Sequence, residues 1–195
     1  MSKAEQTKAF IIEKIAPILN QKGYAGTSLS DMTEATGLTK GSIYGNFSGK
    51  DEVALAAFDY NLRQVGEILR SEMSRHVSIK DKLLAYVNVY NDYLKHPFPE
   101  GGCPILNTAI EADDTHPLLK QKASDAITAW KNKLIRLLET GVKTKEFKAV
   151  ADPEQFALTI IATIEGCIMI SQLTGKTNYR KMILASVEQM IRNLS

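Results

Sequence analysis

The sequence predicts an all-α protein of about nine helices, and three observations predict it. Apolar residues recur at helical spacing along most of the chain, without the sustained alternation that a half-buried strand needs. Glycines, prolines and small polar residues interrupt those runs at helix-length intervals. Apolar residues make up 44% of the 195 residues and charged residues 24%, the balance of a soluble globular chain with a real core.

Phe10, Ile11, Ile15, Ile18 and Leu19 share one helical face. They predict a helix over residues 4–22 that stops at Gly23. Pro17 removes a backbone bond inside it, so a kink is expected over 13–17. Ser28, with Asp31 three residues on in the capping-box position, predicts a short helix over 29–36 closed by Gly37. Thr39 caps a third helix reaching about Phe47. Ser48 caps a fourth over 51–74, with Asp51 and Glu52 favourable in its first turn. Further helices are expected over 79–95, 104–112, 117–140, 152–173 and 179–193, divided by loops at 97–102, 113–116 and 175–178. Two short helices joined through Gly37-Leu38, behind a longer first helix, make a helix-turn-helix. Leu29, Met32, Ala35, Leu38, Ile43 and Phe47 are placed to meet Phe10, Ile11, Ile15 and Leu19 in its small core. The expected domains are therefore a helix-turn-helix head over 1–50 and a helical remainder over 51–195.

The segment Thr39 to Phe47 has the make-up of a recognition helix. Thr39, Lys40, Ser42, Tyr44 and Asn46 are all hydrogen-bonding residues, while Gly41 and Gly45, one turn apart, leave the surface bare for close approach. Each glycine costs a helix roughly 1 kcal/mol relative to alanine, so a segment tuned for stability alone would avoid both. The plain alternative is a solvated polar helix with Ile43 and Phe47 as its core stripe. Charge does not decide between them. The formal net charge is +2, and the first fifty residues carry six lysines against four acids, so any nucleic-acid patch must be local.

The order decides more than the composition. Lys22-Gly23-Tyr24, then Thr27-Ser28-Leu29-Ser30-Asp31-Met32, then Gly37 to Phe47, then Lys50-Asp51-Glu52, resemble the TetR family of repressors over residues 5–55. The resemblance implies a homodimer with an all-helical fold and a variable C-terminal domain for ligand binding and dimerisation. It implies that Thr39, Lys40, Gly41 and Ser42 enter the major groove of double-stranded operator DNA and that Tyr44 clasps a phosphate. Ser28 and Lys50, at helix N-termini, would hold phosphates too. The sequence departs from the family at Gly45 and Asn46, where bulkier or aromatic residues are common. Asn46 to a base such as adenine and Asn46 to a phosphate both stay open. The function so implied is a transcriptional repressor released from its operator by a small-molecule effector. A transcriptional activator, or a thiol-based redox or electrophile sensor on the same fold, is the alternative.

Candidates for the ligand site come from residue type and helical spacing: Tyr86, Tyr90 and Tyr93; Cys103, Asn107 and Glu111; Trp130; Glu165 and Met169. They read equally as core aromatics and surface or capping polars. Glu165 lies among isoleucines and is expected partly buried, which demands a partner or a neutral form. Cys103 follows two glycines and precedes Pro104, a helix N-terminus of the kind that can lower a thiol pKa. The last two helices carry Phe156, Ile160, Ile161, Ile164 and Ile168, and Met182, Ile183, Val187, Met190 and Ile191, more apolar face than one core uses and suited to a two-fold contact. No catalytic residue is assigned, because no Ser-His-Asp order, HExxH or glycine-rich phosphate loop stands out. His76, His96 and His116 are scattered, so neither a metal nor a cofactor is expected. Two cysteines without a CxxC read as reduced thiols of a cytoplasmic protein. The apolar stretch 156–173 is interrupted by Glu165 and several polar residues and reads as a buried helix, with no membrane partner.

Overall fold

The computed structural model describes residues 2–92 and 96–195. The end expected for the fifth helix, and Tyr93, lie outside the described residues. Within them the regular structure is helical throughout: α1 (Lys3–Gly26), α2 (Leu29–Thr36), α3 (Lys40–Tyr44), α4 (Lys50–Ser74), α5 (Ile79–Asn91), α6 (Pro104–Ala112), α7 (Pro117–Lys143), α8 (Pro153–Thr174) and α9 (Asn178–Arg192). The chain forms two compact units, one of residues 1–65 and 99–125, the other of 66–98 and 126–195.

Local chemistry sets the first unit's helix ends. Ser2 and Glu5 close a capping box at the start of α1, and Ser28 and Asp31 close another at α2. Gly37 then stops α2 in the left-handed conformation. The core joins Ile11, Ile12, Ile15 and Ala16 of α1 to Met32, Ile43, Phe47, Val53 and Ala57. Phe10, expected in that core, is instead 41% exposed with the Lys14 ammonium 5.9 Å from its ring. The buried stripe is 11, 12, 15, 16, rotated so that Ile12 rather than Phe10 faces inward. Leu29 and Ala35 are only half-buried. Through Pro17 the backbone stays helical; α1 departs from helical geometry at Gly23, with φ 73° and ψ 178°. Ser48 does not cap α4 as expected: its N–H donates to Glu52 Oε2 at 2.6 Å, and the helix begins at Lys50.

Helix α6 holds the broken end of α1. Beyond Gly23, the N–H groups of Tyr24 and Ala25 donate to the two oxygens of the Glu111 carboxylate, each at 2.7 Å. Asn107 Nδ2 donates to the carbonyls of Asn20 and Gly101, at 3.0 and 2.9 Å. Asn20 Nδ2 in turn donates to the carbonyls of Glu100 and Gly102. Glu111 and Asn107 thus satisfy backbone groups near the break in α1, while Asn20 ties the loop before α6 to the same place.

In the second unit α5, α8 and α9 pack on one another. Their buried side chains include Leu83 and Val87 of α5, Ile160, Ile164 and Ile168 of α8, and Leu184, Val187 and Ile191 of α9. Glu146 accepts the N–H groups of Ile79 and Lys80 at the start of α5, at 2.8 and 2.7 Å. Burial would raise its carboxyl, but those two bonds outweigh it and hold the group below its ordinary range. Helix α8 is long and apolar enough to cross a membrane by length and composition, yet it turns Ile160, Ile161, Ile164, Cys167 and Ile168 into the unit.

Candidate nucleic-acid interface

Helix α3 presents the residues singled out for DNA. Thr39, Lys40, Gly41 and Ser42 are all exposed. Thr39 caps the helix, its Oγ1 accepting the Ser42 N–H at 3.2 Å, while Ile43 and Phe47 anchor the far side in the core. The helix ends at Tyr44, earlier than expected: Gly45 N–H closes a regular bond to Gly41 O at 2.8 Å, and Asn46 N–H then takes the tighter three-residue turn to Ile43 O at 3.0 Å. Asn46 Nδ2 donates to Ser42 O at 2.9 Å, so half of the amide that would read adenine serves as a cap. Tyr44 is half-buried, its ring packed against the core.

The two glycines of α3 have different explanations. A Cβ at Gly45 would lie 3.0 Å from Gly41 O, a tight contact with the protein's own backbone. A Cβ at Gly41 would meet nothing nearer than Thr39 Oγ1 at 3.8 Å. Nothing inside the protein demands glycine at 41; a close external surface would.

Around α3 most charges are committed. Lys22 pairs with Asp31 at 2.6 Å and Lys8 with Glu52 at 3.3 Å. The Lys22 ammonium and the Ser28 bonds hold the Asp31 carboxyl well below the usual carboxylate range. The Ser28 hydroxyl accepts from Asp31 N–H and donates to Asp31 Oδ2, so it is already occupied by the capping box. Lys40 makes no ion pair among the described residues. Lys50, at the start of α4, lies with its Nζ 4.5 Å from the Tyr24 ring centroid, a cation–π contact, and among the described residues it makes no ion pair within 4 Å.

Behind Lys50 sits a cluster that the sequence did not reveal. The Tyr24 hydroxyl donates to Asp51, which pushes the phenol up to about 12 and the Asp51 carboxyl down. His116 stands edge-on to Tyr24 at 4.6 Å, with Nε2 3.6 Å from Asp51 Oδ1, and its Nδ1 accepts the Leu119 N–H at 3.2 Å to cap α7. These residues are separated by up to 92 positions (116 − 24), and no local pattern links them.

Comparison with known proteins gives this geometry a family. The family description "Bacterial regulatory proteins, tetR family" matches residues 11–57, and "Tetracyclin repressor-like, C-terminal domain" matches 80–187, more than half of the chain. The chain belongs to the TetR family. Among solved TetR structures, a transcriptional regulator from Cytophaga hutchinsonii is 47% identical, with a TM-score of 0.96, covering 100% of this chain and 98% of that one. A TetR regulator from Chloroflexus aurantiacus is 36% identical with a TM-score of 0.92, covering 98% and 97%. An HTH-type transcriptional regulator from the lacX 3' region of Lactococcus lactis subsp. lactis is 29% identical over 178 residues, 88% of this chain and 86% of that protein. This TetR-family member is therefore a helix-turn-helix transcriptional regulator, all-α in fold.

The residues proposed for the ligand side of this TetR chain divide between the units. Cys103 and Asn107 belong to the first; Tyr86, Tyr90, Trp130, Glu165 and Met169 belong to the second. Cys103 is buried at the start of α6 and makes no side-chain capping bond, while Asn107 serves the α1 latch. Tyr86, Tyr90 and Trp130 come together as a buried ring stack. Glu165 is buried on α8. Nearby Cys167 is fully buried, and burial pushes its thiol up to about 11, the reverse of an activated cysteine. Met169 is 47% exposed on the outer side of α8.

Proposed function

We propose that this TetR-family regulator is a repressor that binds its operator as a homodimer and leaves it when the second unit takes a small-molecule effector. The carrying observation is Gly41, a glycine that the protein's own packing does not require, set among exposed hydrogen-bonding side chains. In this reading residues 1–50 are the DNA-binding domain and 51–195 the ligand-binding and dimerisation domain. Ser28, Thr39, Lys40, Ser42, Tyr44, Asn46 and Lys50 then contribute the contacts to phosphate and base.

An operator duplex selected from a random-sequence library tests this by fluorescence anisotropy. Tyr44→Phe and Lys50→Ala are expected to weaken binding across all sequences, and Lys50→Ala to reduce the salt slope by about 1. Parent-like affinity in both variants removes the phosphate contacts from the scheme.

Of the residues expected at the two-fold contact, Ile160, Ile161, Ile164, Ile168, Val187 and Ile191 are buried in the unit's own core, so the homodimer reading is supported instead by the outer faces of α8 and α9. Leu158, Met169, Ile170, Leu173 and Met182 are all exposed, Leu173 at 85% and Met182 at 67%. Isolated apolar side chains are ordinary on a surface, but a row on adjacent helices suits an isologous contact. Two heads spaced by about 34–36 Å, or a multiple, would then reach successive major grooves on one face. Light scattering on the full chain should give the mass of two protomers at micromolar concentration. Met169→Glu with Leu173→Glu should give one. A monomeric parent protein would end the two-head scheme. Release follows as a population shift: an effector that prefers a dimer state with another head spacing lowers operator affinity by its differential affinity for the two states.

A further inference from the structure

Tyr86 and Tyr90, one turn apart on α5, lie against Trp130 of α7 with ring centroids 6.5 and 5.9 Å away and planes within 14° and 24° of parallel. Tyr86 is 1% exposed and Trp130 7%. Among the described residues neither Tyr86 Oη nor Trp130 Nε1 has a hydrogen-bond partner. Buried polar atoms are almost always paired, so two orphans on stacked rings are open to an acceptor that the described residues do not supply. The indole N–H can only donate.

The charge beside them has the same sense. Lys133, three residues along α7 from Trp130, holds its Nζ 5.8 Å from the Tyr86 ring centroid. Burial pushes its ammonium pKa down, and the neighbouring charges of Arg70 and Arg136 push it the same way. Among the described residues no carboxylate lies within ion-pair distance of Lys133, Arg70 or Arg136. A phenol and an indole N–H, both without a partner among the described residues, therefore lie beside the Lys133 ammonium.

We infer that this cluster is the effector subsite of the second unit and that it takes an organic anion, a carboxylate carried on an aromatic or apolar body. The assignment rests on the effector-released reading above. The carboxylate accepts from Tyr86 Oη and Trp130 Nε1, as a neutral amide oxygen would, but it alone also offsets the Lys133 charge. The stacked rings cover the apolar body. A cationic ligand would meet the like charge of Lys133, which already lies against the Tyr86 ring.

Trp130 is the single tryptophan of the chain, so its fluorescence reads this subsite alone. The full-length protein is titrated with 3-phenylpropionate, 3-phenylpropanamide and 3-phenylpropylammonium, which share a body and differ in head group. The carboxylate is expected to change Trp130 emission saturably, the amide to bind at least roughly tenfold more weakly, and the ammonium not to bind. Lys133→Met should erase the preference for carboxylate over amide, and Tyr86→Phe should weaken both, with far-UV circular dichroism unchanged. A carboxylate that produces no saturable change, or an amide or ammonium that binds as well, overturns the assignment. Operator binding is followed in the same samples. Binding of the carboxylate without loss of operator affinity would sink the release scheme and leave the subsite standing. Operator release by the amide or ammonium, with Trp130 emission unmoved, would sink the subsite and leave the scheme standing.

Discussion

Gly23→Ala is expected to cost as much stability as emptying a core position of α1. At φ 73° and ψ 178° the residue occupies a backbone region that is essentially glycine-only, where a side chain costs about 1–3 kcal/mol. The new Cβ would also stand 2.3 Å from Glu111 Oε2 and 2.7 Å from its Cδ. Glu111 cannot swing aside freely, because the same carboxylate accepts the N–H groups of Tyr24 and Ala25. Displacing it leaves the half-buried Tyr24 N–H unsatisfied, at about 1–3 kcal/mol, while the exposed Ala25 N–H turns to water. Together these give a loss of roughly 2–6 kcal/mol, and at about 2–4 °C per kcal/mol a fall in melting temperature on the order of 10 °C. Thermal unfolding followed by circular dichroism measures it. Glu111→Ala on its own loses the two bonds but not the backbone geometry. Combined with Gly23→Ala it should cost less than the sum, because the collision is gone. A variant that melts within a degree or two of the parent means that Glu111 is not the clamp on α1.

What could be read from the sequence and what could not divide along physical lines. Helix ends were legible at Ser28 with Asp31, at Gly37 in its left-handed turn, and at Pro104, which opens α6; Ser48, an equally local signal, does not cap α4. The exposed face of α3 was legible as well, since its side chains alternate with an anchoring Ile43 and Phe47. The register of α1 was not. Phe10 is more apolar than Ala16, and only the partners on α2, α3 and α4 select the stripe that includes Ala16 and leaves Phe10 in water. The end of α3 was misplaced because Gly45 looked like part of the helix and is its stop. The Glu111 and Asn107 latch was out of reach altogether. Each bond spans 86 or 87 positions, and nothing near Tyr24 or Asn20 in sequence announces its acceptor or donor. Grouping Cys103 and Asn107 with Trp130 as pocket residues used chemical type, which carries no information about which compact unit a residue joins.

Gly41→Ala should separate the two demands on α3 most cleanly. Its Cβ would point into open space, 3.8 Å from the nearest heavy atom, Thr39 Oγ1. Alanine is favoured over glycine inside a helix by up to about 1 kcal/mol, so the variant should melt no lower than the parent and up to a few degrees higher. Operator affinity should nevertheless fall by roughly tenfold or more, the equivalent of about 1.4 kcal/mol, because the added methyl holds α3 away from the groove that its neighbours must reach. Gly45→Ala is the contrast. Its Cβ meets Gly41 O at 3.0 Å, so it should lower stability and affinity together. Opposite signs for stability and affinity at position 41, with matching signs at 45, are what a surface shaped for DNA produces. A solvated helix with no partner predicts only the gain in stability at 41, and an operator bound by Gly41→Ala as tightly as by the parent would decide for that plainer account.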